Sequence, residues 1–144
     1  PLSLTAGLAM LRHLIAHQDT LYDELGSKGA DLRRRVEQVF ASRGVLAKCS
    51  GGGNDVIRSS SLSSVYFPRQ ADLEPQGPED LNDAALCDQV LREKVLKLGM
   101  LLHRVNVVHG LGALSTAHGE QELALTCEAY DRLAQQIKTG RADQ

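Results

Sequence analysis

An α+β domain, with helices packed on a small and mainly antiparallel sheet in the order ααββαββα, follows from three features of the sequence. Helical periodicity recurs in four segments, including both ends of the chain. Two pairs of short apolar or β-branched stretches lie between those segments, each pair around a glycine-containing turn. A length of 144 residues suits one domain with one core.

Leu4, Leu8, Leu11 and Ile15 line one side of a first helix, with Arg12, His13 and His17 near or off that side. A second helix is predicted over residues 20–40, capped by Asp19 or Thr20, with Leu21, Leu25, Leu32, Val36 and Val39 turned inward. Gly26 and Gly29 each cost about 1 kcal/mol against Ala inside that helix, so a kink or a close packing contact is expected there. Arg33, Arg34 and Arg35 fan out around the helix by roughly 100° each and read as solvated surface.

Past Gly44 the pattern changes to "VLAKC", a turn "SGGGND", and the extended "VIRSSSLSSVYF", two strands able to pair as neighbours. "GGGN" leads into a strand and lacks the Lys-Ser/Thr of a phosphate loop, which makes it a turn. The serines between Ser59 and Ser64 read as a polar strand face; no GxSxG surrounds any of them. "PRQADLEPQGPED" is a surface loop. It leads to a third helix with Glu79, Asp80 and Asp83 at its positive end, Ala84, Cys87, Leu91, Val95 and Leu98 as its buried stripe, and Gly99 as its stop. Residues 100–118 hold two apolar stretches around "HGLG", a predicted hairpin. The last helix buries Leu123, Cys127, Tyr130, Ala134 and Ile137 and leaves Asp131, Arg132 and Gln135 in water.

Composition narrows the partners. A net charge of -2 and 3% aromatics, with no Trp, offer neither the field nor the stacking surfaces of a nucleic-acid reader, and no attraction to anionic lipid. No run of about eighteen apolar residues and no secretory signal is present, so a membrane is not an expected partner. Cys49, Cys87 and Cys127 are odd in number and widely spaced, which argues against a disulfide framework and for a reducing, cytoplasmic setting. His103, His109 and His118 could converge on a metal if their strands pair. Their spacing matches no zinc pattern, so they read as strand and turn residues and no metal site is assigned.

Three stretches together carry a family resemblance. "PLSLTAGLAMLRHL" is similar to the start of the helix joining two domains, "LREKVLKLGMLLH" to a helix-to-strand passage, and "LSTAHGEQELALTCEAYDRL" to a strand ending in Ser-x-Ala-His before the last helix. The chain thus resembles the C-terminal small domain of class III, fold-type I, pyridoxal-phosphate aminotransferases, nearest to the glutamate-1-semialdehyde aminomutase group. The resemblance implies one domain over residues 1–144, with residues 1–18 as linking helix and 19–144 as body. It also implies a missing large pyridoxal-phosphate-binding domain as partner, and a homo-oligomeric parent.

The cofactor lysine of such enzymes lies in that large domain. None of Lys28, Lys48, Lys94, Lys97 and Lys138 is assigned to it, and no residue here is assigned a catalytic or cofactor-binding role. Arg104 is the one candidate for a substrate carboxylate, weighed against a solvated strand-end residue. His118 is expected to close a strand and fix the start of the last helix, where Gly119 replaces the family's capping Thr and leaves Glu122 without a hydroxyl partner. Gly110 stands near the position of a glutamate in the aminomutases, in a loop longer by about two residues. Two other functions are open: a separately encoded, non-catalytic binding or oligomerisation module, and a small metal enzyme using the histidines.

Overall fold

The computed structural model describes residues 2–53 and 59–142. Its elements are α1 (Leu2–Ala16), α2 (Gln18–Ser42), β1 (Lys48–Ser50), β2 (Leu62–Tyr66), α3 (Pro78–Asn82), a π-helical segment Leu91–Leu96 running into α4 (Lys97–Leu102), β3 (Leu111–Ala113) and α5 (Glu120–Ala142). The predicted class holds: helices pack on a three-stranded antiparallel sheet in the order β1-β2-β3. Residues 54–58, which carry the end of the predicted turn and the start of the predicted second strand, lie outside the described residues.

The central strand β2 sets the register. Cys49 faces Val65 on one side, and Ser63 faces Gly112 on the other. Val65 and Phe67 enter the core beneath α2, which contributes Leu32, Val36 and Phe40 at intervals of four, one apolar ridge of a helix. Leu96 and Met100 come from the π-helical segment and α4, and Tyr130, Leu133, Ala134 and Ile137 from α5. Phe40 is the hinge of the aromatic packing, edge-on to Phe67 at 5.5 Å and tilted against Tyr130 at 5.8 Å.

Gly26 and Gly29 answer the question their positions raised: they are close-packing sites. A Cβ on Gly29 would lie 2.1 Å from the Ser60 carbonyl oxygen, and one on Gly26 would lie 2.3 Å from Ser59 Cβ. Residues 59–61 therefore run against the bare face of α2, and of the predicted polar strand face Ser63 and Ser64 lie in β2 while Ser59, Ser60 and Ser61 precede it. Arg33, from the next turn of the same helix, donates to the Ser60 carbonyl at 3.0 Å and to that of Leu62. The three arginines are likewise more than solvated surface. Arg34 pairs with Asp31, while Arg35 spans Asp31 and Glu120 at 2.7 and 2.5 Å and so ties α2 to the start of α5. On α5, Asp131 and Gln135 do not simply face water either, since both accept from Arg43.

Neither Asp19 nor Thr20 caps α2. His17 occupies the N-cap without a side-chain cap bond, and the Thr20 hydroxyl donates instead to the His17 carbonyl at 3.3 Å. The third helix also departs from its prediction. Only Pro78–Asn82 is helical at its start, Cys87 sits in an isolated bridge with Pro68, and the helix resumes later as the π-helical segment. That wider turn moves the buried stripe to Leu91, Leu96 and Met100, with steps of five and four, and leaves Leu98 60% exposed. Gly99 is no stop. It lies inside α4 against Leu133, where a Cβ would come 2.4 Å from Leu133 Cδ1.

The first arm of the predicted hairpin at 100–118 is the last turn of α4 followed by irregular chain, reduced to a single bridge between Val108 and Leu111. Among the described residues the sheet consequently has three strands where four were expected. The helix at the N-terminus forms as predicted, yet none of its residues is buried: Leu4 is 78% exposed and Ile15 68%. Among the described residues no helix is long and apolar enough to cross a membrane.

Candidate functional site

The candidate site lies where α4, the irregular chain after it, β3 and the start of α5 meet. Both α2 and α4 end in the same two-bond motif. At the end of α2, Val45 N–H donates to Phe40 O and Gly44 N–H to Ala41 O, with Gly44 at φ 73°. At the end of α4, Val105 N–H donates to Met100 O and Arg104 N–H to Leu101 O, both at 3.0 Å, and the left-handed position is Arg104 at φ 65°. Glycine takes that conformation freely, whereas any residue with a Cβ is disfavoured by roughly 1–2 kcal/mol. Arg104 is thus not a strand-end residue but the turning point of a helix terminus, held where glycine is easier.

Arg104 lines two cavities. One, about 360 Å³, is lined by Arg104, Ser63, His118, Glu122, Thr126 and Tyr130 among others. The second, about 540 Å³, is lined by His103, Arg104, Glu128 and Arg132 with Leu102 and Leu125. His103 Nε2 is buried without a hydrogen-bond partner among the described residues. The Ser63 hydroxyl is also buried with no nitrogen or oxygen partner among the described residues, and the Cys49 thiol is its polar neighbour. Burial pushes that thiol up to about 12, so Cys49 is a protonated, unreactive group at neutral pH. Burial also pushes the Tyr130 phenol up.

The three histidines do three separate things. His118 Nδ1 accepts from the Ser115 N–H at 2.9 Å and lies 3.0 Å from the Ser115 hydroxyl, closing the turn before α5. Glu122 reaches back to the Gly119 N–H at 2.8 Å, so half of a capping box survives the loss of the hydroxyl. That backbone bond holds the Glu122 carboxyl below the usual range. His109 and Gly110, at φ 53° and 75°, are the two central residues of a tight hairpin turn of the type that needs both in the left-handed region. His109 pairs with Glu93, which also accepts from Arg92 at 2.8 Å. Burial alone would raise the Glu93 carboxyl, but the bonds from His109 and Arg92 outweigh it and hold it low. Among the described residues no three metal-ligating side chains gather, so His103, His109 and His118 do not converge.

Gly110 is also fixed by contact. A Cβ there would lie 2.4 Å from the Val65 carbonyl oxygen, and the Val65 N–H donates to the Gly110 carbonyl at 3.0 Å. No glutamate fits this position without opening the sheet. The sequence pointed to Arg104 and His118 but not to Ser63, Glu122 or Thr126 as cavity residues. Glu122 was visible only as a helix-capping residue, and nothing local distinguishes Ser63 from its neighbouring serines.

Neither a protein-family model nor a curated protein matches the sequence. Among solved structures the fold is similar to that of an omega-transaminase from Sphaerobacter thermophilus, with a TM-score of 0.67 and 21% identity. The match covers 96% of this chain and 28% of that one, so this chain spans under a third of the transaminase's length. The pyridoxal phosphate implied by the resemblance needs a lysine for its aldehyde, an acid for its ring nitrogen and donors for its phosphate.

Here Lys28 lies 2.7 Å from Glu24 and donates to the Thr116 carbonyl, and Lys48 donates to that of Leu73. Lys97 and Lys138 are exposed on helices. Lys94 borders a groove of about 450 Å³ lined by Leu91, Val95, Leu98 and Ile137 with no carboxylate. The chain's own lysines do not fit the group. What the geometry and the comparison establish together is a transaminase-type α+β fold that covers part of such an enzyme.

Proposed function

We propose that this chain is the C-terminal small domain of a class III pyridoxal-phosphate aminotransferase, closest in kind to the glutamate-1-semialdehyde aminomutases, and works against a large domain that supplies the cofactor lysine. One observation carries the reading: nearly the whole chain superposes on under a third of a transaminase, while α1 keeps a full row of apolar residues in the open. Exposed apolar rows of this extent mark surfaces built to be covered. In this reading residues 1–18 are the linking helix that the large domain covers, and residues 19–144 are the body that closes over the substrate.

Arg104 is the substrate-facing residue. Arg104 lines both cavities, and its guanidinium would receive a carboxylate, for which a planar fork of donors is suited. The Gly110 contact favours an amino transfer between two substrates over the aminomutase reaction, because the family's glutamate has no room there. The coding sequence upstream of Pro1 tests the assignment. An adjoining lysine-bearing cofactor domain that, co-expressed with this chain, binds it and transfers amino groups supports the reading. A start codon at this chain with no such domain beside it, or a co-expressed pair that never associates, overturns it.

A further inference from the structure

We propose that His13 and His17 form a two-ligand site for a borderline divalent transition metal, of the zinc, nickel and copper class, at the elbow between α1 and α2. Four residues apart, they lie on the same face of one helical turn. Their ring centroids are 4.3 Å apart and the planes are tilted by 33°. Both residues are exposed to solvent, so an ion reaches them without any opening of the fold.

The hydrogen bonding settles which nitrogen is available. His17 Nδ1 lies 2.9 Å from the His13 carbonyl oxygen. A carbonyl oxygen only accepts, so Nδ1 carries the proton and Nε2 of His17 keeps its lone pair. A backbone carbonyl on the far nitrogen is also the arrangement that orients a metal-ligating imidazole. Two imidazoles on a tetrahedral ion, with bonds of about 2.0 Å, hold their ligating nitrogens about 3.3 Å apart. Rings at the present separation reach that by turning the His13 side chain.

His17 belongs to both helices, since its N–H donates to the His13 carbonyl at 3.1 Å and so closes the last turn of α1. His13 is in the last turn of α1. His17 is the N-cap of α2, with φ −122° and ψ 13°, and its carbonyl accepts from Thr20 and Leu21 N–H at 3.2 and 2.9 Å. An ion held by both rings therefore ties the end of α1 to the first turn of α2. It fixes the direction of a helix that has no buried residue of its own to hold it. No third protein ligand is gathered among the described residues, so water completes the shell.

Calorimetric titration of the tag-free chain with Zn²⁺ and with Ni²⁺, followed by Cu²⁺ electron paramagnetic resonance, tests this. The expected result is one ion per chain, nitrogen hyperfine structure from two imidazoles, and slower amide exchange across residues 13–21 when metal is present. His13→Ala and His17→Ala each weaken binding at least tenfold, while a triple His103→Ala, His109→Ala, His118→Ala variant binds as the parent does. Both elbow substitutions are on exposed positions, and unchanged circular dichroism apart from α1 shows that the body still folds. Absence of binding up to ~1 mM, binding that survives both elbow substitutions, loss of binding in the triple variant, or binding that leaves exchange at the elbow unchanged overturns the proposal.

Discussion

Replacing Gly29 by Ala sets two effects of opposite sign against each other. In an open helix interior Gly→Ala stabilises by about 1 kcal/mol, because alanine loses less backbone freedom on folding. At Gly29 the new Cβ would meet the Ser60 carbonyl oxygen at 2.1 Å, Ser61 Cα at 2.9 Å and Ser60 C at 3.0 Å, all of them backbone. Segment 59–61 must retreat by over an ångström, since ordinary contact begins near 3.4 Å. Overpacking of this kind costs about 1–3 kcal/mol. The retreat also pulls the Ser60 carbonyl away from the Arg33 guanidinium, and a bond to a charged donor is worth about 1.5–3 kcal/mol.

After the propensity gain, the net expectation is a loss of about 1.5–5 kcal/mol. With a urea slope of about 2 kcal/mol/M, the unfolding midpoint falls by ~0.8–2.5 M. Gly7→Ala is the control, because nothing lies within 4 Å of its would-be Cβ, and it should be neutral or slightly stabilising. A Gly29→Ala protein as stable as the parent, or more so, refutes the close approach of residues 59–61 to α2.

Arg104→Gly should raise stability by about 0.5–1 kcal/mol in urea unfolding, since relief at the left-handed position exceeds the added freedom of the unfolded chain; a loss would mean that the turn is not held as described. Asp131 and Glu120 have folded-state carboxyls held below the usual range by Arg43 and Arg35 respectively. Their contribution is therefore present above the unfolded value near pH 4 and is lost as pH falls through the lower folded values. Urea midpoints should stay flat from about pH 7 to 5 and drop below about pH 4, and Arg43→Met should make that drop shallower. Light scattering should show concentration-dependent association of the chain, abolished by Leu4→Lys with Leu11→Lys; a monomer at high concentration with α1 ordered would count against it. Incubation with pyridoxal phosphate followed by borohydride should label no lysine stoichiometrically, and one specifically labelled lysine by mass spectrometry would contradict the reading of Lys28, Lys48 and Lys94.

What the sequence determined by itself was the class of fold and its long elements, because α2 and α5 repeat their apolar residues at helical spacing over many turns and no tertiary contact is needed to read that. A tight turn around His109 and Gly110 was legible in the same local way, from a glycine between apolar stretches, but its left-handed pair and the loss of the first strand arm were not. The stripe of the third helix was not, because a π-helical turn changes the phase of the repeat, and one extra residue per turn leaves no mark in the letters. Nor could the spacing of Gly26 and Gly29 say whether they kink a helix or admit a neighbour; residues 59–61, thirty positions away, decided that by lying against them. The cavity beside Arg104 belongs to the same category. Its walls come from β2, β3, the chain after α4 and the start of α5, and only packing brings Ser63, Arg104 and Glu122 to one place.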